Sequence, residues 1–363
     1  MDNHITYEQT IARFEENGIR CHTLSLSGGL EIIVSQRGGR ILGPFAGAKR
    51  ESVTWMNGAF SSGDEFRAFL ESGDWNLGGD RIWIAPELQF NVKDRDDFFG
   101  SYALPEQVDP GRYSLSNPAG DRCVLEQDMA LEVYGPDARG EKKRTKELAI
   151  RRVILPAADP LRELDDHDEL VGGVSYGGWE HRITLTERKN DGLFGEAWDL
   201  TQVNPGGALY VATHPAVKHT DYYLPIDREY QQIRGGCVRL KIDGTRQYKV
   251  GYKAAHFLGR VAYHNAFEDG REYLLVRGFL SNPSAVYTKE PAEAPGCKGH
   301  PLHIYNDDNT YGGFAEVECS GQAIGGSTGR SSTEDQMLTW LYVGAPEKIG
   351  KIAWALMGIE LSA

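Results

Sequence analysis

Two glutamates, Glu316 and Glu318, stand two positions apart in the stretch YGGFAEVECSG, Tyr311 to Gly321. Successive strand side chains alternate faces, so both carboxylates project from one face, with Val317 and Cys319 on the other. Their Cα atoms then lie about 6.6–6.8 Å apart. Two close carboxylates without cationic partners repel, which raises one pKa and suits that group to proton transfer. The competing reading is a solvated strand face, a common setting for glutamate.

The stretch WNLGGDRIWIAPE, Trp75 to Glu87, runs a Gly-Gly breaker into alternating apolar and polar residues. If Ile82 and Ile84 face a core, Arg81 and Trp83 face away from it, joined by Glu87 if the strand runs on past Pro86. Arginine offers a planar fork of donors for a hydroxyl or carboxylate, and tryptophan an apolar plane on which a sugar ring can stack. The alternative is a buried pair of Arg81 with Glu87 or Asp80, with Trp83 filling the core. In EAWDLTQVNPGG, Glu196 to Gly207, the same alternation sets Trp198, Leu200 and Gln202 on one face. Gln202 can donate and accept toward a polyol, although a strand glutamine more often pairs with backbone.

The histidines give no familiar metal pattern. In THPAVKH, which holds His214, Lys218 and His219, Pro215 argues against a helix beginning before His214, so this is not the helical two-histidine zinc motif. CKGHPLH spaces Cys297, His300 and His303 as C-x2-H-x2-H in a Gly/Pro-rich loop. These are competent ligands, but a clear fourth is lacking, and neither metal nor cofactor is expected. Asp307 and Asp308 in YNDDN fit Asx-turn chemistry better than a cation site. No Walker A loop, G-x-G-x-x-G after a strand, G-x-S-x-G or HExxH is present, so nucleotide-dependent chemistry and serine hydrolysis lack support.

The elements that must position these groups are mostly strands. LEIIVSQ, HRITLTERK, ALYVAT, CVRLKIDG and EYLLVRGFL alternate over strand lengths between Gly, Asn, Asp and Pro, and the chain holds 43 glycines. This pattern predicts an all-β sandwich or barrel. Near the N-terminus, Thr6 and Gln9 form a capping-box pattern, with Tyr7, Ile11 and Phe14 at helical spacing and Gly18 as a stop. A second short helix is expected over Asp64–Ser72, and helical periodicity is scarce elsewhere. The charged stretch Tyr134 to Glu147 reads as a hairpin tip within one domain spanning 1–363.

The net charge of −13 over 363 residues disfavours nucleic acid and anionic lipid as partners. No run of roughly 18 apolar residues suggests a membrane helix. The first residues lack a basic and apolar leader pattern, so a cytoplasmic protein is expected. Five scattered cysteines without a CxxC pair fit a reducing compartment.

Taken in order, GGDRIWIAPE, WDLTQVNPGG and FAEVECSG resemble the galactose mutarotase-like superfamily, which includes the aldose 1-epimerases, and most closely its uncharacterised members. The resemblance implies a large β-supersandwich of mostly antiparallel strands that binds a small-molecule carbohydrate in an open cleft on one sheet. It further implies that Arg81 contacts sugar hydroxyls and that Glu318, or its neighbour Glu316, is the general base. The family's first histidine has no counterpart, since none lies between His22 and His167, and Gln202 stands near its general acid. An epimerase of this kind would draw its acid from His181, His214 or His256. Without one, Arg81, Trp83, Glu87, Trp198 and Gln202 would form a binding module. A metal-assisted lyase or isomerase using Cys297, His300 or His303 is the third alternative.

Overall fold

Alternating apolar side chains drive the chain into two large antiparallel sheets with a shared core, the expected all-β architecture. The computed structural model describes residues 4–134 and 144–361. The first sheet runs, in spatial order, through Cys21–Ser25, Glu31–Ser35, Ile41–Ala46, Asp80–Ala85, Phe194–Val203, Ala315–Ser320, Leu302–Asn306, Tyr248–Tyr252 and His219–Asp221. The second runs through Gln231–Arg234, Cys237–Lys241, Ala208–Thr213, Phe257–Ala266, Glu272–Phe279, Ser332–Gly344, Ser175–Glu187, Thr145–Ala157, Cys123–Glu132 and Ser114–Ser116. Cys123–Glu132 and Thr145–Ala157 pair as the expected hairpin. Residues 135–143 of its tip lie outside the described residues.

Ile82, Ile84, Val317, Cys319 and Ile304 of the first sheet pack with Ile150, Ile183, Leu185, Leu275 and Leu341 of the second. Each buried aliphatic side chain contributes about 1.5–3 kcal/mol. A one-residue slip would turn all of them outward, so this burial fixes the register that aims Arg81 and Trp83 away from the core. Entry into that strand depends on Gly78 and Gly79, at φ +96° and +73°. A Cβ at Gly78 would lie 2.4 Å from the Trp55 carbonyl oxygen, and one at Gly79 2.4 Å from that of Ile41. Only glycine tolerates both the positive φ and the close approach.

The N-terminal helix spans Tyr7–Glu16 with the Thr6–Gln9 capping box formed, and Gly18 follows at φ +62°. The second helix, Gly63–Ser72, begins one residue before the expected start because Ser62 caps it. A third helix, Pro346–Met357, departs from the expectation of little further helix. Its Ile349, Ile352, Ala353 and Leu356 recur at i, i+3, i+4 and i+7 and pack on Leu274, Val276 and Tyr342 of the second sheet. No described helix is long and apolar enough to cross a membrane.

Candidate functional site

Five neighbouring strands of the first sheet bring the candidate residues together. Across Asp80–Ala85 and Phe194–Val203, Arg81 pairs with Leu200 and Trp83 with Trp198. Glu318 and Glu316 then lie opposite Leu200 and Gln202, and on their other side opposite His303 and Tyr305. Tyr305 in turn lies opposite Lys249. Directly paired residues share a face, so period-2 alternation over five strands gathers these groups on the side away from the core. All of them but Leu200, Gln202 and His303 line a cleft of about 210 Å³. Its floor carries Arg81, Trp83, Trp198, Lys249, Glu316 and Glu318, and its walls Trp75, Tyr102, Tyr223, Tyr305 and Phe314.

The indoles form an edge-to-face series: Trp75 and Trp83 are 4.9 Å apart, and Trp83 and Trp198 are 5.5 Å apart, between ring centres. The Trp83 Nε1–H donates to Asp109 Oδ2 at 3.1 Å, which fixes its plane. Arg81 lies over the Trp83 ring, 4.3 Å from its centre. Its Nη2 donates to Glu316 Oε1 at 2.6 Å, so its partner is neither Glu87 nor Asp80. Nε and Nη1 of Arg81 are buried and make no hydrogen bond among the described residues. Gln202 lies beneath the floor rather than in the cleft lining, and its amide donates to the same Glu316 oxygen at 3.1 Å, orienting the carboxylate.

The expected repulsion between the two glutamates does not arise, because each has its own cations. Glu318 is fully buried between Lys249, 3.1 Å from Oε1, and Lys289, which donates to Oε2 at 2.7 Å. The Trp198 Nε1–H adds a third donor to Oε2 at 3.0 Å. Burial alone would raise the Glu318 carboxyl, but Lys249 and then Lys289 outweigh it and hold the pKa below the usual carboxylate value. Burial also depresses Lys249, yet Glu318 and Glu87, the latter 3.8 Å away, reverse this and hold it well above the ordinary lysine range. Lys289 moves the other way. Burial outweighs the pull of Glu318, Lys249 adds repulsion, and its pKa is pushed down to about 8. Its ammonium also sits 3.3 Å from the centre of the Trp198 ring, a close cation–π contact.

Glu87 does not extend the strand. The strand ends at Ala85, and Glu87 opens the helical turn Glu87–Phe90, which still leaves it lining the cleft.

The candidate histidines are not brought to this site. His181 lies between the sheets, its Nε2 accepting from Arg152 at 2.9 Å and its Nδ1 3.2 Å from Asp199. Burial and then Arg152 push its pKa well below the usual value. His214 is exposed just beyond Ala208–Thr213 of the second sheet, with the His256 carbonyl accepting from its backbone N–H at 2.9 Å. Among the described residues lining the cleft there is no histidine. His303 lies opposite Glu318, but its ring is buried against the Tyr222 hydroxyl at 2.9 Å. Burial, then Lys289 and Lys249, hold its pKa well below the ordinary range.

Cys297, His300 and His303 do not converge on a common point. His300 Nδ1 and His303 Nε2 both turn to the Tyr222 hydroxyl, at 3.2 and 2.9 Å. His300 Nε2 contacts Thr220 Oγ1 at 3.0 Å, and Cys297 Sγ is 3.9 Å from that oxygen. Among the described residues, Asp80, His181 and Asp199 are close enough together for a metal. Arg277 already bridges the two carboxylates, at 2.5 Å to Asp80 and 2.8 Å to Asp199, so the place of a cation is taken. Asp308 makes the expected local turn, accepting from Thr310 N–H at 3.2 Å.

Sequence reasoning missed Lys249, Lys289 and the aromatic walls. Lys249 carries a signal, since YKVGY alternates Tyr248, Val250 and Tyr252 into the core and leaves the lysine on the opposite face. Lys289 comes from an irregular segment, as do Tyr102 and Tyr223, and no period marks them.

A family model described as a family of unknown function (DUF6786) matches residues 6–363. No curated protein matches the sequence. Among solved structures, a putative aldose 1-epimerase from Escherichia coli K12 is similar at 10% identity and a TM-score of 0.47, covering 89% of this chain and 99% of its own. A galactose mutarotase-like protein from Lactobacillus casei is similar at 10% identity and a TM-score of 0.46, over 89% of this chain and 100% of its own. A putative aldose 1-epimerase from Klebsiella pneumoniae gives 10%, 0.44, 92% and 82% for the same measures. Likeness at this level assigns neither a residue nor an activity to the cleft.

Proposed function

This chain belongs to the DUF6786 family, whose function is unknown, and we propose that it binds a carbohydrate in the cleft of its first sheet. One observation carries the reading: the half-buried rings of Trp75, Tyr102 and Tyr223 wall a floor that carries Arg81, Lys249, Glu316 and Glu318. A sugar ring presents an apolar C–H face and a belt of hydroxyls; the walls offer aromatic faces to the first, and the charged groups of the floor offer donors and acceptors to the second. Arg81 supports it further, because its Nε and Nη1 are buried without a hydrogen-bond partner among the described residues. A cytoplasmic setting fits the five cysteines, all free. One domain over residues 1–363 fits a core cluster running from Leu24 to Val343.

The reading favours binding over turnover. A general base must accept a proton, and Glu318 is held below the usual carboxylate pKa by two lysines, with no histidine beside it in the lining. The test is titration of intrinsic tryptophan fluorescence with a panel of aldoses. A saturable change that is lost in Arg81→Met supports the reading, and no saturation with any sugar overturns it.

One feature favours an isomerase as second reading: Glu318 faces the cleft and contacts Lys289, whose pKa of about 8 lets that amine exchange a proton near neutrality. NMR of anomer exchange separates the two. Acceleration abolished in Lys289→Met selects the isomerase, and binding without acceleration removes it.

A further inference from the structure

Beyond its floor, the cleft runs out into aromatic rings that stay exposed to solvent. Phe99 is 65% exposed and Tyr311 54% exposed, yet both line the same cleft as Arg81 and Glu316. A wall of rings links rim to floor: Phe99 to Tyr223 at 5.8 Å, Tyr223 to Tyr305 at 6.3 Å and Tyr305 to Phe314 at 6.1 Å between centres.

The loop that presents Tyr311 is pinned in place. Asp307 Oδ2 accepts the backbone N–H of Tyr311 at 2.9 Å and of Gly313 at 2.8 Å, while Oδ1 accepts the Tyr305 hydroxyl at 3.0 Å. The Trp55 Nε1–H donates to the Gly312 carbonyl at 3.1 Å. Gly312 has φ +119°, and a Cβ there would lie 2.5 Å from the Trp55 ring, so only glycine lets the loop sit this close to the indole. On the other element, Asp97 caps the turn that carries Phe99 by accepting from Gly100 N–H at 3.1 Å.

We propose that Phe99 and Tyr311 form a second sugar subsite, and that the ligand is an oligosaccharide or the end of a glycan chain rather than a free monosaccharide. The inference rests on the carbohydrate reading of the floor. At about 210 Å³ the enclosed space, to which Phe99 and Tyr311 already contribute, is smaller than the roughly 300–1,000 Å³ that encloses a drug-sized ligand, so a ligand longer than one ring has to extend past it. A ligand seated there and extending outward meets the two exposed rings next. Their faces suit the apolar side of a second sugar, whose hydroxyls remain in water.

The test compares glucose, galactose and mannose with their di- and trisaccharides by fluorescence titration and calorimetry of the full chain. A disaccharide is expected to bind about tenfold tighter than its monosaccharide. Tyr311→Ala and Phe99→Ala are expected to remove that gain while leaving monosaccharide affinity within about twofold, and Tyr311→Phe to retain it. Equal affinity for mono- and disaccharides overturns the proposal. So does an aryl glycoside that matches the disaccharide, which would make the rim a site for an apolar group. Binding of neither length overturns the floor reading and the rim together, whereas monosaccharide binding lost in Arg81→Met but without a length effect sinks the rim alone.

Discussion

Replacing Glu318 with glutamine keeps the shape of the side chain and removes one charge from between two lysines. The variant leaves Lys249 and Lys289, whose side chains are 4% and 1% exposed, facing an uncharged group. Lys249 retains Glu87 at 3.8 Å, while Lys289 has no other ion pair among the described residues. Breaking a buried pair costs about 3–5 kcal/mol. Lys289 can relieve part of this by shedding its proton, because its pKa is already down at about 8 with Glu318 present and falls further without it. The loss at pH 8 should therefore sit near the low end, ~3 kcal/mol.

The pH dependence follows from the same residue. A folded lysine pKa below the unfolded 10.5 means that, between the two values, the unfolded chain binds more protons and stability rises with pH. In the wild type this rise starts at about 8, and in Glu318→Gln it starts lower. Below pH 8 the wild-type penalty is constant while that of the variant still grows. The deficit of the variant should thus increase by up to ~1.4 kcal/mol for each pH unit below 8, until Lys289 is protonated there too. Glu318 itself stays ionised throughout, since its folded pKa lies below the usual value. In the wild type Lys249, held well above its ordinary value chiefly by Glu318, stays protonated, whereas in the variant Glu87 is the carboxylate left to oppose its burial. Urea denaturation followed by fluorescence at pH 6, 7 and 8 measures the deficit. Adding Lys289→Met to the variant should reduce the slope to the part that Lys249 contributes. A deficit independent of pH, or below ~1 kcal/mol, would show that the buried charges do not interact as drawn.

Arg81→Met leaves Glu316 without its cation and should cost about 3–5 kcal/mol in denaturation, alongside the loss of sugar-dependent fluorescence. Asp80→Asn should destabilise by a similar amount, because Arg277 and the Thr201 hydroxyl both rely on that carboxylate; a melting temperature within a degree or so of wild type would contradict this. Gly78→Ala should lower stability more than an exposed helical substitution does, beyond ~1 kcal/mol, since positive φ and a backbone contact act together. Zinc or EDTA should leave the melting temperature unchanged, as His300 and His303 turn to Tyr222; a zinc-dependent rise lost in His300→Ala would reopen the metal reading.

Strand alternation made the floor of the cleft legible, because it depends on a rule that residues obey locally. Arg81 and Trp83 oppose Ile82 and Ile84, and Glu316 and Glu318 oppose Val317 and Cys319; burial of the apolar set then decides where the polar set must point. A different local signal, the Thr6–Gln9 capping box, made the N-terminal helix legible. Strand alternation applied equally to YKVGY, where Lys249 is the polar member of the strand, and following it there would have supplied the cation that Glu318 needs. What the rule cannot reach is a contact made from outside the strand period. Lys289 arrives from an irregular segment 29 positions before Glu318, and nothing in TKEP ties it to a carboxylate. His181 errs in the opposite direction. Its type suits catalysis, but its strand belongs to the second sheet, and Arg152 and Asp199 hold it between the layers. Residue type therefore proposes a role and sheet membership decides it. The lysines bear most on the proposed function, because two cations anchor the Glu318 carboxylate and hold its pKa down, and it is on this that the proposal of recognition over proton transfer rests.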